Sequence, residues 1–165
     1  MRFVLTLALA LVAQAAQAAP LAPGDAAPFA TLPIARADGT QIDPASLANK
    51  VILLDIWATW CEPCRASLPL YQKLQTELGP SGFTVVAISI DEHREDLTAF
   101  LAKSDLTFPI GWDPQSTWPA AIGLTAMPTA LLIGRTGKVQ AVYPGFVEAE
   151  GEAMAQAIRA LVKAR

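Results

Sequence analysis

Cys61 and Cys64 are the only cysteines in the 165-residue chain, and two residues separate them. They follow the apolar run Val51 to Trp57 and precede Leu68, Tyr71, Leu74 and Leu78, whose spacing is near-helical. A Cys-x-x-Cys at a strand-to-helix join inside a βαβ pattern reads as a redox dithiol. Pro63 suits the start of the helix, where its missing N–H costs nothing. Cys61 then sits beside free backbone amides and the positive end of the helix dipole, which favour a thiolate. The chemistry is thiol–disulfide exchange, in which one thiol forms a mixed disulfide and a second displaces the product. Cys61, on the exposed rim of the turn beside Trp60, is expected to attack. Cys64, one turn inside and shielded, is expected to resolve.

Other readings of the pair fare worse. A structural bridge here would tie one helical turn to itself, worth roughly 2 kcal/mol at most for so short a loop. A zinc site needs two further ligands, and the chain offers one histidine, His93, and no second cysteine pair. No cofactor is expected beyond the redox-active disulfide Cys61–Cys64.

Two carboxylates bear on that dithiol. Glu62 stands between the cysteines, where its charge disfavours a neighbouring thiolate and opposes the dipole's stabilisation of it. It would make the reduced form less stable and the protein a better reductant; an exposed Glu with little effect is the alternative. Asp55 interrupts the apolar run, and aspartate is depleted in strands and rarely buried without a partner. Burial would raise its pKa, which suits a base that takes the Cys64 proton. The alternative is a frayed strand with Asp55 in solvent.

These residues need an exported α/β scaffold to hold them. Met1-Arg2, the mostly apolar run Phe3 to Ala13 and Ala16-Gln17-Ala18 have the architecture of a signal peptide, too short to span a bilayer. The expected division is a signal peptide over 1–18 and one domain over 19–165, with an uncleaved anchor as the alternative. The destination is the periplasm or another exported compartment. A net charge of −3 without basic runs argues against nucleic acid and anionic membrane surfaces.

Ala19 to Ala27 is Ala/Pro-rich and expected to be extended or mobile. Asp38-Gly39 between Phe29–Arg36 and Gln41-Ile42 predicts a hairpin, with a helical turn over Pro44 to Leu47. Strands are predicted over Val51–Trp57, Phe83–Ile90 and Phe108–Gly111. The helix after the cysteines ends at Gly79-Pro80 and contains Pro69; another runs from Arg94 to Lys103. This alternation implies parallel strands joined by crossovers. Trp118–Leu124 is short and helical or irregular. Ala130–Ile133 and Val139–Tyr143 flank Arg135-Thr136-Gly137 as an antiparallel hairpin, and Met154, Ile158, Leu161 and Val162 mark a closing helix.

The chain resembles the TlpA/ResA-type branch of the thioredoxin superfamily. The carrying pieces are Ala27-Pro28-Phe29 with Asp38-Gly39, Ala58-Thr59-Trp60-Cys61-Glu62-Pro63-Cys64-Arg65, and Met127-Pro128-Thr129 before the last hairpin. The resemblance implies a thioredoxin-like fold, a mixed sheet flanked by helices with an N-terminal hairpin extension. It implies a cis-proline at Pro128 packed against the dithiol, presenting the backbone of Met127 to an extended substrate. Of the four tryptophans, bulky core or rim residues first of all, only Trp60 is assigned a substrate-facing role. Two positions depart from the branch. Ser67 stands where it often has a helix glutamate, and Asp55 where it often has asparagine.

The implied activity is reduction of disulfides in client proteins by a monomer, recharged by a membrane thiol electron donor, with cytochrome c maturation as one setting. Rival readings are a disulfide oxidant or isomerase, and a copper-handling module on the same fold. A thiol peroxidase would use a lone cysteine with nearby Thr and Arg, a context this chain lacks.

Overall fold

The computed structural model describes residues 18–164. The signal peptide expected over 1–18 lies outside the described residues except for Ala18. The elements in order are β1 (Ile34–Ala35), β2 (Gln41–Ile42), β3 (Val51–Trp57), α1 (Glu62–Leu78), β4 (Phe83–Ser89), α2 (Arg94–Leu101), β5 (Ile110–Trp112), α3 (Thr117–Ile122), β6 (Thr129–Ile133), β7 (Val139–Pro144) and α4 (Glu148–Lys163). Short 3-10 turns over Pro28–Ala30, Pro44–Leu47 and Gly79–Ser81 join them.

Five strands form one mixed sheet in the order β5-β4-β3-β6-β7. β3 runs parallel to β4, and β4 to β5, as the helical crossovers require. β6 is antiparallel to both β3 and β7. β3 is therefore central and fully buried, which explains why its residues are apolar on both faces. Its alternation sorts the core into two layers. Val51, Leu53 and Trp57 face a cluster with Leu68, Leu74, Leu97, Ile158 and Val162, from α1, α2 and α4. Ile52, Leu54 and Ile56 face the other cluster with Trp118 and Ile122 of α3 and Ile34 and Ile42 of the hairpin. Each fully buried Leu, Ile or Phe contributes roughly 1.5–3 kcal/mol.

The hairpin is shorter than the sequence predicts: β1 and β2 pair over two residues each, and Phe29 falls in a 3-10 turn. Pro33 and Pro28 confine the pairing on its N-terminal side by removing backbone donors. The hairpin packs closely on β5. A Cβ on Gly111 would lie 2.5 Å from Ile34 Cγ2, so only glycine fits that crossing without a shift. The segment before the hairpin is tied down, so the mobile alternative for Ala19–Ala27 falls. Leu21 N–H donates to the Ile122 carbonyl at 3.0 Å, and Gly24 and Asp25 bond both backbone groups of Val139. It covers the open edge where β7 begins.

Candidate active site

The site lies at the C-terminal end of β3. Trp57 ends the strand buried, and Cys61 N–H closes a turn onto the Ala58 carbonyl at 3.1 Å. α1 starts at Glu62, one residue earlier than a proline-first helix would, so Pro63 occupies its second position. Cys61 is the N-cap: its sulfur accepts the Cys64 N–H at 3.3 Å, satisfying one of the free amides of the first turn. Cys61 and Cys64 form a disulfide.

The structure buries both cysteines, which corrects the expectation of Cys61 on the exposed rim. Cys61 is 6% exposed and Cys64 fully buried, while the exposed rim is Trp60, at 66%. Capping turns the Cys61 side chain inward, over the helix end, and that costs it solvent. Glu62 and Pro63 are exposed. Trp60 borders an open groove of about 620 Å³, shared with Thr59, Asp96, Phe100 and Lys103.

Pro128 reaches the same end of the sheet from another strand. Thr129 opens β6 opposite Ile56, so the preceding Met127-Pro128 sits beside the turn that carries the cysteines. The Met127–Pro128 bond is cis, as the resemblance implied. Pro128 is buried, its carbonyl accepts the Gly145 N–H at 2.6 Å, and half-buried Met127 packs on the cluster that contains both cysteines.

Asp55 is wholly buried, so the frayed-strand alternative falls. It lies between Leu53 and Trp57 on the face toward α1, with Ala87 and Ala130 as its strand neighbours. These two small residues leave room for a carboxyl group. Neither Asp55 oxygen has a hydrogen-bond partner at good geometry. Burial holds its pKa well above the usual value near 3.8, and the nearby Tyr71 hydroxyl offsets that in part.

The sequence reading did not single out Tyr71 as a site residue. Cys64, Ser67 and Tyr71 recur at i, i+3 and i+7 on the buried face of α1, all at most 1% exposed. The Ser67 hydroxyl donates to the Cys64 carbonyl at 2.8 Å. Burial, reinforced by the Asp55 charge, pushes the Tyr71 phenol well above its usual value. The apolar stripe concealed Tyr71, because a tyrosine at core spacing reads as packing. Asp91 also escaped notice, in a loop that looked merely polar; both of its oxygens accept from Thr59, next to Trp60.

Comparison with known proteins agrees with this geometry. The family described as Redoxin matches residues 22–158. The chain is 33% identical over 124 residues to the thiol-disulfide oxidoreductase ResA of Oceanobacillus iheyensis, covering 74% of this chain and 65% of that relative. It thus spans less than two thirds of the length of that curated relative. A solved Chlorobium tepidum structure, described as a thiol:disulfide interchange protein DsbE, is 36% identical with a TM-score of 0.80, covering 86% of this chain and 99% of that one. A secreted thiol-disulfide isomerase from Corynebacterium glutamicum is 26% identical with a TM-score of 0.70, covering 79% and 83%. With a dithiol at the head of α1 and a cis-proline just before β6, the chain belongs to the Redoxin family and is a ResA-like member of the thioredoxin superfamily.

Proposed function

We propose that this protein is a thiol-disulfide oxidoreductase that reduces disulfides in client proteins. The observation that carries the reading is the Cys61–Cys64 disulfide at the N-terminus of α1, with the unpartnered Asp55 carboxyl buried in the layer beneath it. In the reduced protein the Cys61 thiolate attacks one sulfur of a client cystine, and the other client sulfur leaves as a thiolate. Asp55 takes the Cys64 proton, and the resulting Cys64 thiolate attacks Cys61 Sγ. The client leaves reduced, two electrons richer, and the Cys61–Cys64 disulfide re-forms. A membrane thiol donor returns those electrons.

Trp60 and its groove receive one flank of the client, and Met127 with Pro128 the other. Glu62 and Pro63 tune the front sulfur. The protein acts as an exported monomer. Among the described residues no helix is long and apolar enough to cross a membrane. The ResA likeness favours clients in cytochrome c maturation.

Trapping tests the reading. Cys64→Ser should hold clients on Cys61 as mixed disulfides that reductant releases, and Cys61→Ser should hold none. Failure of the reduced wild-type protein to reduce any protein cystine would overturn the proposal. A reduction potential near −120 mV, instead of about −220 mV or lower, would make it an oxidant or isomerase.

A further inference from the structure

The turn that presents Cys61 is held from outside by one buried carboxylate. Asp91 lies just beyond β4 and is 1% exposed. Its Oδ1 accepts the Thr59 hydroxyl at 2.7 Å and the Thr59 N–H at 3.2 Å. Its Oδ2 accepts the same N–H at 3.1 Å and the Ser89 hydroxyl at 2.6 Å. Its own N–H donates to Ser89 Oγ at 3.1 Å, and its carbonyl accepts Trp112 Nε1–H at 2.7 Å. The neighbouring Ile90 N–H reaches the Trp57 carbonyl at 2.9 Å. Every polar group of Asp91 named here is thus bonded to β4, β5 or the turn itself.

Such a network is more than the fold needs. A buried carboxylate is costly unless each oxygen is satisfied, and an apolar residue would cap β4 more cheaply. What the carboxylate adds is a fixed position for Thr59. Thr59 is the first free residue of the turn from Ala58 to Cys61, so fixing its amide and hydroxyl leaves little freedom for Trp60 and Cys61 beyond it. Trp112 extends the brace to the sheet edge, with the Arg94 guanidinium 5.3 Å from the centre of its ring.

We propose that Asp91 is a positioning residue for the dithiol, acting through Thr59 to hold Cys61 Sγ over the helix end and Trp60 against its groove. The proposal rests on the thiol–disulfide exchange reading. Without the clamp, Cys61 Sγ leaves its place over the Cys64 amide for part of the time. The thiolate then loses that hydrogen bond, and the client meets a mobile rim.

The test uses the full mature chain with Thr59→Val, Thr59→Ser and Asp91→Asn. Thr59 is only half-buried, so Thr59→Val folds even where Asp91→Asn does not. Two readouts are taken: the rate of Cys61 alkylation by iodoacetamide against pH, and kcat and KM for insulin reduction. Thr59→Val should move the alkylation profile to higher pH and lower kcat/KM about tenfold, and Asp91→Asn should do at least as much. Thr59→Ser, which keeps the hydroxyl, should remain within about twofold of wild type. Variants that melt earlier but keep both the wild-type alkylation profile and the wild-type kcat/KM would reduce Asp91 to a structural brace and overturn the proposal. If the wild-type protein reduces no protein cystine, insulin included, the functional reading fails, and the alkylation profile still decides the positioning role.

Discussion

The Tyr71 hydroxyl, seven residues beyond Cys64 on the buried stripe of α1, faces the Asp55 carboxyl on β3, near enough to bias its protonation yet without a well-formed hydrogen bond. A carboxyl group left this way keeps its proton to higher pH in the folded state than in the unfolded chain. Folding is therefore coupled to pH through a residue that no solvent reaches.

The stability consequence has a definite sign. The folded pKa of Asp55 lies well above its usual value near 3.8, so between those values the native state binds the extra proton. Stability from this group is full at low pH and declines as pH rises through that window, by up to about 1.4 kcal/mol per pH unit. Asp55→Asn should remove the decline. Urea unfolding of the oxidised protein should find the variant more stable than wild type near neutrality, and the two should converge toward pH 4. Parallel stability curves would mean that Asp55 does not hold its proton.

The same substitution should slow catalysis. Asn cannot accept the Cys64 proton, so resolution of a Cys61 mixed disulfide should fall about a hundredfold near neutral pH. The deficit should shrink at alkaline pH, where Cys64 ionises by itself. Stopped-flow release of a fluorescent client from the mixed disulfide reads this directly, and an unchanged rate across pH 6–9 would remove Asp55 from the mechanism.

Tyr71→Phe acts on Asp55 in the opposite direction from solvent exposure. The hydroxyl lowers the Asp55 pKa, so losing it should raise that pKa further. Both the stability decline and the onset of base-assisted resolution should move to higher pH, with the cysteine pair intact. A profile that coincides with wild type would make Tyr71 a packing residue alone.

Much of this was legible in the chain because local and tertiary demands coincide there. Val51–Trp57 is a strand by every criterion and is buried on both faces. The cysteine spacing and Pro63 announce the helix start, and Met127-Pro128-Thr129 fell where the resemblance placed it. The hidden parts depend on distant partners. Thr59 and Asp91 are 32 residues apart, and nothing local to either discloses the clamp. Arg135 read as a turn residue, yet its guanidinium donates to the carbonyls of Asn49 and Ser81 and to that of Val162 near the end of α4. Cys61 looked more exposed than it is because composition does not report which way an N-cap side chain turns.

Glu62 offers the sharpest remaining discrimination. It is exposed at the first position of α1, where its charge favours the helix dipole in both redox states. That contribution cancels in the redox equilibrium. Repulsion of the Cys61 thiolate exists only in the reduced protein, so it alone enters the reduction potential. Glu62→Gln should therefore raise the potential by up to about 20 mV, since exposed charges interact by about 1 kcal/mol or less. Glu62→His should raise it further, and by more at pH 6 than at pH 8, as the imidazole gains its proton. Equilibration with glutathione buffers, read by alkylation and mass shift, measures both. A potential that stays fixed in Glu62→Gln while the melting temperature falls would leave Glu62 with the helix and take it away from the sulfur.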